Sequence, residues 1–362
     1  MDRRQFLKSA AAASATLALP RVGRALGQAS TDSGWRTFEV FTRVELLNPS
    51  GPSLVWLPAA QLQQSPYQKT LANQFQADGG TAELVEYDGF GIITAKYPAG
   101  AHPVLTLTSR VSTRNYSVDL AASEKTAKSD QADVEKCLRG GHAIPSDGIV
   151  KTTADSITLG ATSDVAKARA IYEWIVDNTF RNPKTRGCGL GDIRYMLESK
   201  DLGGKCADLN ALYVGLARAA GLPARDVYGV RVAPSQNGLK SLGLSSENAT
   251  KAQHCRAEVY LADHGWVPVD PADVRKVVLE EPPGNHSMDD EVVKNARARL
   301  FGSWEMNWMA YNCGHDVALP GSTRPPLNYF MYPQAETAEG SVDPLDPDKF
   351  KYEITAKEVK AA

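Results

Sequence analysis

Three residues of the 362-residue chain have the types and order that nucleophilic catalysis uses: Cys206, His254 and Asp270, spaced 48 and 16 residues apart. A thiol becomes a strong nucleophile only as thiolate. An imidazole of ordinary pKa can take its proton near neutrality, and a carboxylate on the far side of the ring fixes the tautomer and stabilises the imidazolium. Cys206 follows Gly203, Gly204 and Lys205 and opens the run CADLNALYVGLARAAGLPAR, in which Leu209, Leu212, Tyr213, Leu216 and Ala220 recur at helical spacing before Gly221 and Pro223. The spacing predicts a helix with Cys206 at its start, where the dipole and unpaired N–H groups favour thiolate. The two glycines let the backbone turn sharply into that helix. Read alone, the stretch also fits a small buried cysteine or half of a disulfide, so the base decides between them.

Downstream, HCRAEVYLADHGWVPVDPADV reads as a strand over residues 254–262, a turn at Asp263-His264-Gly265 and a strand over 266–270 closed by Pro271. In a hairpin centred on His264, His254 and Asp270 share a face. That register pairs His254 with Val274 and leaves Asp270 four positions along, roughly 13 Å away. A bulge, a wider turn or strand coiling, aided by Pro268 and Pro271, is needed to close the gap. Upstream, Ser163 and Asp164 open a helix whose Val165, Ala168, Ile171, Tyr172, Ile175 and Val176 form one face that braces the nucleophile's helix. A second oxyanion donor beside the Cys206 N–H is sought among Asn182, Tyr195 and Lys205.

The Gly-x-Cys helix start with ARAAGLPAR, the His-x3-Glu-Val-Tyr strand and Gly-Trp-Val-Pro-Val-Asp-Pro resemble the bacterial transglutaminase-like superfamily, a papain-like cysteine fold, over about residues 165–275. The resemblance implies Cys206 as nucleophile, His254 as base and Asp270 as third member. The chain departs from it in HCRAEVY, where the family more often has His-Ala-Trp-Val-Glu-Val; Cys255 and Arg256 stand beside the base instead. By resemblance, the expected activity is attack of Cys206 on a peptide or glutamine-type amide. A thioester forms and is resolved by water, as in a protease or amidase, in preference to amine crosslinking, which needs a second binding site. The alternative is a non-catalytic binding or scaffolding protein that keeps the fold.

The first residues, MDRRQFLKSAAAASATLALPRVGRALGQAS, carry Arg3, Arg4 and Lys8, an apolar run from Ser9 to Leu19 and small residues near Gly27 and Ala29. This is the three-part pattern of an export signal, and Arg3-Arg4-Gln5-Phe6-Leu7-Lys8 resembles the twin-arginine motif. The run falls short of the roughly 20 residues a spanning helix needs. The expected product is periplasmic, with no stable membrane anchor after cleavage. From Trp35 to about Leu120, short alternating runs separated by turns predict an antiparallel sandwich; Phe38, Val40 and Thr42 alternate with Glu39, Phe41 and Arg43.

The expected organisation is therefore α+β. A twin-arginine signal peptide spans residues 1–29, a β-sandwich domain 33–122 and a linker with short helices 123–162. A transglutaminase-like core, the cysteine helix packed on an antiparallel sheet, spans 163–290, and a C-terminal extension packed on that core spans 291–362.

With 40 Lys+Arg against 42 Asp+Glu, the net charge of −2 supplies no field for a polyanion, so no nucleic-acid partner is expected. The expected partner is a peptide or protein substrate, a cell-wall peptide included. The scattered His102, His142, His264, His286 and His315, and the lack of Cys-x2-Cys, His-x3-His or a Gly-rich phosphate loop, predict no metal and no cofactor. Five cysteines cannot all pair. With Cys206 as the working thiol, Cys137, Cys188, Cys255 and Cys313 permit zero, one or two disulfides. Cys188 reads as an exposed loop residue or disulfide partner, and Cys255 as buried on the face opposite His254.

Overall fold

The computed structural model describes residues 34–122 and 131–360; the signal sequence and residues 123–130 of the expected linker lie outside them. The architecture is α+β, built from antiparallel sheets and seven helices among the described residues. Strands β1 (Arg36–Leu46), β2 (Ser53–Pro58), β3 (Gln68–Asp78), β4 (Thr81–Tyr87), β5 (Phe90–Tyr97) and β6 (Val104–Thr113) come first. Along β1 the expected period of two is present: Phe38, Val40, Thr42, Val44 and Leu46 are buried while Glu39 and Phe41 face out.

Helices α1 (Gln131–Lys136), α2 (Gly148–Ile157), α3 (Asp164–Asn178), α4 (Ile193–Ser199) and α5 (Cys206–Ala219) follow. Next come β7 (Ala224–Arg231), β8 (Gln253–Leu261), β9 (Gly265–Val269), α6 (Pro271–Glu280) and α7 (Glu291–Arg299). The chain finishes with β10 (Trp308–Asn312), β11 (Gln334–Thr337), β12 (Gly340–Val342) and β13 (Phe350–Val359).

Two expectations change here. The C-terminal extension does not simply pack on the core. Its strand β13 pairs with β1 from Thr37↔Val359 to Leu46↔Phe350, and β11 pairs with β2. The two facing sheets therefore run β13-β1-β6-β3 and β12-β11-β2-β5-β4. Ala335 and Phe350 join Val44, Leu57, Ile93 and Leu107 between them, because β1 and β2 would otherwise expose unpaired edges. The expected linker does hold a short helix, α2 over 148–157, but that helix is core and not connector: its Val150 and Ala154 belong to the same core as Leu212 and Tyr213. Ile149, Val150, Ala154 and Ile157 recur at 3,4 spacing, a stripe that needs a partner. Residues from 34 onward form one compact unit.

The other sheet, β9-β8-β7-β10, carries α5 across one face. Every residue of α5 is buried, since α2, α3, α4 and α6 also pack on it. Ser163 Oγ accepts the Ala166 N–H at the head of α3, which presents Ala168, Ile171, Tyr172, Ile175 and Val176 to the core. Among the described residues no helix is long and apolar enough to cross a membrane.

Candidate active site

Cys206 is the first residue of α5, and the chain leading to it is held from several sides. Phe180–Arg181 pairs in parallel with Gly203–Gly204, and the Asn182 N–H donates to the Gly204 carbonyl at 2.8 Å. A Cβ on Gly203 would stand 2.3 Å from Phe180 Cζ and one on Gly204 2.5 Å from Asp208 Cβ, so these glycines serve close approach rather than a left-handed turn. Asp208, in the first turn of α5, accepts the N–H groups of Leu190 (2.9 Å), Gly191 (3.0 Å) and Lys205 (2.9 Å). One carboxylate thereby fastens the 189–191 loop and the residue before Cys206 to the same helix turn.

Gly189, at φ +101°, lies so close that an added Cβ would fall 1.9 Å from Asp208 Oδ2. Gly189→Ala is expected to cost about 2 kcal/mol or more, to lower Tm and to slow modification of Cys206 by an alkylating reagent. Unchanged Tm and labelling would mean that this clasp does not hold the site.

The hairpin of β8 and β9 has a different register from the expected one. Ala257↔Val269 and Leu261↔Gly265 centre it on Asp263, not His264, which puts Asp270 opposite Arg256 rather than Glu258. Asp270 is then two positions from His254 instead of four. It ends the strand as the N-cap of α6, its side chain accepting the Asp273 N–H while Pro271 opens the helix. The turn into α6 closes the remaining distance: His254 Nε2 is 2.8 Å from Asp270 Oδ2. With Nε2 so engaged, Nδ1 is the ring nitrogen left to serve Cys206.

Asn210, one turn after Cys206, joins the three elements. Its Nδ2 donates to the Cys255 carbonyl (2.8 Å) and Asp270 Oδ1 (3.3 Å), and its Oδ1 accepts the Ala272 N–H (3.4 Å). Trp308 Nε1 on β10 donates to the His254 carbonyl at 2.9 Å. Neither partner was singled out from the sequence, although a polar Asn210 inside an otherwise apolar helix run is the local signal that would have found one of them.

The electrostatics favour a charged pair. Hydrogen bonds from the Cys188 thiol, then the Cys255 thiol, and from His254 hold the Cys206 thiol well below the usual cysteine range, outweighing burial. Burial pulls the His254 imidazole down, but the Asp273 and Asp270 carboxylates together leave it above its ordinary value, with Arg231 opposing them. Cys206 retains 4% exposure, His254 4% and Asp270 none, so the charges act with little solvent screening.

Residues 151–271 match the family model of the transglutaminase-like superfamily. The chain carries a transglutaminase-like core. Residues 1–20 match the model of a twin-arginine translocation pathway signal sequence, which indicates export across the cytoplasmic membrane. An uncharacterized protein of Haemophilus influenzae (strain Rd) is 40% identical over 236 residues, 63% of this chain and 63% of that protein's own length. Among solved structures, a candidate cysteine protease of Cytophaga hutchinsonii aligns over 91% of this chain and 93% of its own at 16% identity and TM-score 0.56, a likeness of fold alone. The periplasmic domain of TgpA from Pseudomonas aeruginosa aligns over 71% of this chain and 92% of its own, at 17% identity and TM-score 0.35.

Of the other cysteines, Cys188 is placed differently from expectation, whereas Cys255 is buried as expected. All five are free thiols. Cys188 is not exposed but buried: Tyr332 Oη donates to its Sγ at 3.0 Å, its thiol reaches the Gln253 carbonyl at 3.4 Å, and its own carbonyl accepts the Ala207 N–H at 3.0 Å. Cys255 is fully buried, on the α5 side of the sheet, which is why its thiol meets Cys206. Arg256 lies 4.8 and 5.3 Å from the ring centroids of Trp308 and Trp304, so indoles from the C-terminal segment flank the strand that carries His254.

Of the candidate oxyanion donors, the N–H groups of Asn182, Lys205 and Tyr195 are spent on Gly204, Asp208 and Asp192. Among the described residues, His254, Asp270 and Asp273 bring ligand-type atoms within 4.8 Å of one another. Their atoms already serve each other: Nε2 bonds Asp270, and both Asp273 oxygens are held by Arg231. A cavity of about 660 Å³ lined by His142, Ser146, Asp147, Asp192 and Arg194 contains none of the three.

Proposed function

We propose that the protein is an exported cysteine enzyme of the periplasm that transfers acyl groups from a peptide or glutamine-type amide through a thioester on Cys206. The observation that carries this reading is the 2.8 Å bond between His254 Nε2 and Asp270 on the strand against which α5, headed by Cys206, packs, with the imidazole among the groups that hold that thiol low. The Cys206 thiolate adds to the amide carbonyl and the carbonyl π-electrons move to oxygen. As that oxyanion collapses, the C–N bond breaks and the His254 imidazolium gives its proton to the departing amine. His254 then takes a proton from water, whose oxygen displaces the thioester sulfur, releasing the acid and restoring the thiolate–imidazolium pair. Hydrolysis is favoured over crosslinking because it needs no site for a second amine.

The alternative reading, a binding or scaffolding protein that keeps the fold without turnover, calls for a nucleophile and base held apart. A His254 imidazole that helps hold the Cys206 thiol below the usual cysteine range, and itself rests on Asp270, speaks against it. A screen of peptide amides, with and without an amine acceptor, separates the three possibilities by mass. The wild type is expected to release acid and amine. Release of a crosslinked amide would revise hydrolysis to transamidation, and no turnover with any peptide would favour the scaffold.

A further inference from the structure

His254 Nε2 faces two carboxylates. Asp270 Oδ2 lies 2.8 Å away, and Asp273 Oδ1 lies 3.4 Å from the same nitrogen. Asp273 is gripped in turn by Arg231 on β7, whose Nη2 donates to both carboxylate oxygens at 2.7 and 2.8 Å while Nη1 donates to the Leu242 carbonyl at 2.6 Å. On the other side, Arg256 Nε stands 3.7 Å from Asp270 Oδ2. The side chains of Arg231, Asp273, Asp270 and Arg256 are 4%, 1%, 0% and 2% exposed. Two guanidinium charges therefore cancel two carboxylates in the interior, and the Cys206–His254 pair sits at their centre. Buried ion pairs rarely repay their desolvation by stabilising a fold. A second carboxylate on the base calls for another explanation.

We propose that Asp273, held by Arg231, is a positioning residue for the base. The imidazole then rests on a pair of carboxylates, with Arg231 limiting how strongly the second one acts. This rests on reading Cys206 and His254 as nucleophile and base. Asp270 takes the short hydrogen bond and fixes the ring, while Asp273 adds negative charge on the same side and favours imidazolium. Arg231 keeps Asp273 from swinging onto Nε2 in place of Asp270 and offsets part of its field. The groups facing His254 are Cys206 on α5, Arg231 on β7, Arg256 on β8 and the two aspartates at the head of α6, with Lys276 acting on Asp273 from the next turn.

The test is the pH–rate profile for alkylation of Cys206 by iodoacetate, an anion that reacts best while thiolate and imidazolium coexist. Its alkaline limb reports loss of the imidazolium. Asp273→Asn is expected to move that limb to lower pH, and Arg231→Met to higher pH, each by about one unit. Arg231→Lys, which keeps the charge, is expected to return the limb close to wild type. These opposite shifts are a signature that a merely structural role would not produce.

Unmoved limbs in folded variants, or shifts in the same direction, overturn the proposal. If Arg231→Met does not fold, an unmoved limb in Asp273→Asn alone overturns it. Wild-type Cys206 reacting no faster than the denatured chain would instead defeat the nucleophile reading, and this inference with it. A normal wild-type profile with unmoved variant limbs defeats this inference only.

Discussion

Cys206→Ala is expected to lower peptide turnover by about 10⁴-fold or more, because removing the nucleophile of a concerted unit leaves only binding and polar stabilisation. The fold is expected to survive. The side chain loses one sulfur at the first position of a helix whose start is fastened by Asp208 and by the pairing of Gly203–Gly204, so the stability change stays below roughly 2 kcal/mol. The measurement pairs initial rates with Tm on the same preparation. Substantial residual turnover would move the chemistry to another thiol, and Cys188 and Cys255 are the two whose thiols help hold Cys206 low.

Asp270→Asn is expected to separate activity from stability. The asparagine can still cap α6 by accepting the Asp273 N–H, since Asn and Asp rank together as N-caps. An amide cannot stabilise the imidazolium, and it can present its NH₂ to Nε2 and favour the wrong tautomer, so the rate falls by roughly 10²–10⁴. The stability effect has the opposite tendency. Burial first, and then the Asp273 charge, raise the Asp270 carboxyl above its ordinary value. A raised folded-state value means the folded chain binds that proton more tightly than the unfolded one, so ionising Asp270 opposes folding as pH rises through the carboxylate range. The neutral amide removes that penalty, and Tm at neutral pH is expected to hold or rise while kcat falls. A fall in Tm with kcat intact would make Asp270 a structural cap and nothing more.

Much of the site is legible locally. Cys206 at a helix start follows from the apolar spacing after two glycines and from the stop at Gly221, which adopts φ +84°. His254 at a strand start and Asp270 at a strand end follow from the β-rich runs and Pro271. The exact register does not, because Asp263, His264 and Gly265 can each occupy the turn. Leu261↔Gly265 places three residues in the loop, with Gly265 at φ +72°. That choice moves Asp270 by two positions and decides whether it reaches the imidazole.

Pairings between distant segments leave weaker traces. β13 joins β1 across more than 300 residues, and nothing near Phe350 names its partner. Arg231 and Asp273 carry a faint signal of their own: Arg231 ends an apolar strand run, where a charge needs a buried counter-ion. The thiols of Cys188 and Cys255 were read by their local settings, a glycine-rich loop and an alternating strand. The packing of α5 on β8 brings Cys255 toward Cys206, and the Ala207 N–H bonded to the Cys188 carbonyl ties the 188 loop to the same helix start.

In the proposed function Cys206 is a thiolate poised beside the His254 imidazolium. The most direct test of this is the rate at which iodoacetamide modifies Cys206 at about pH 5, far below the ordinary cysteine pKa of about 8.5. Peptide mapping reads the label on the native and the denatured chain. Cys206 is expected to be modified faster in the native protein than in the denatured one, with the other four thiols slower when native. Native labelling of Cys206 no faster than in the denatured chain would contradict it.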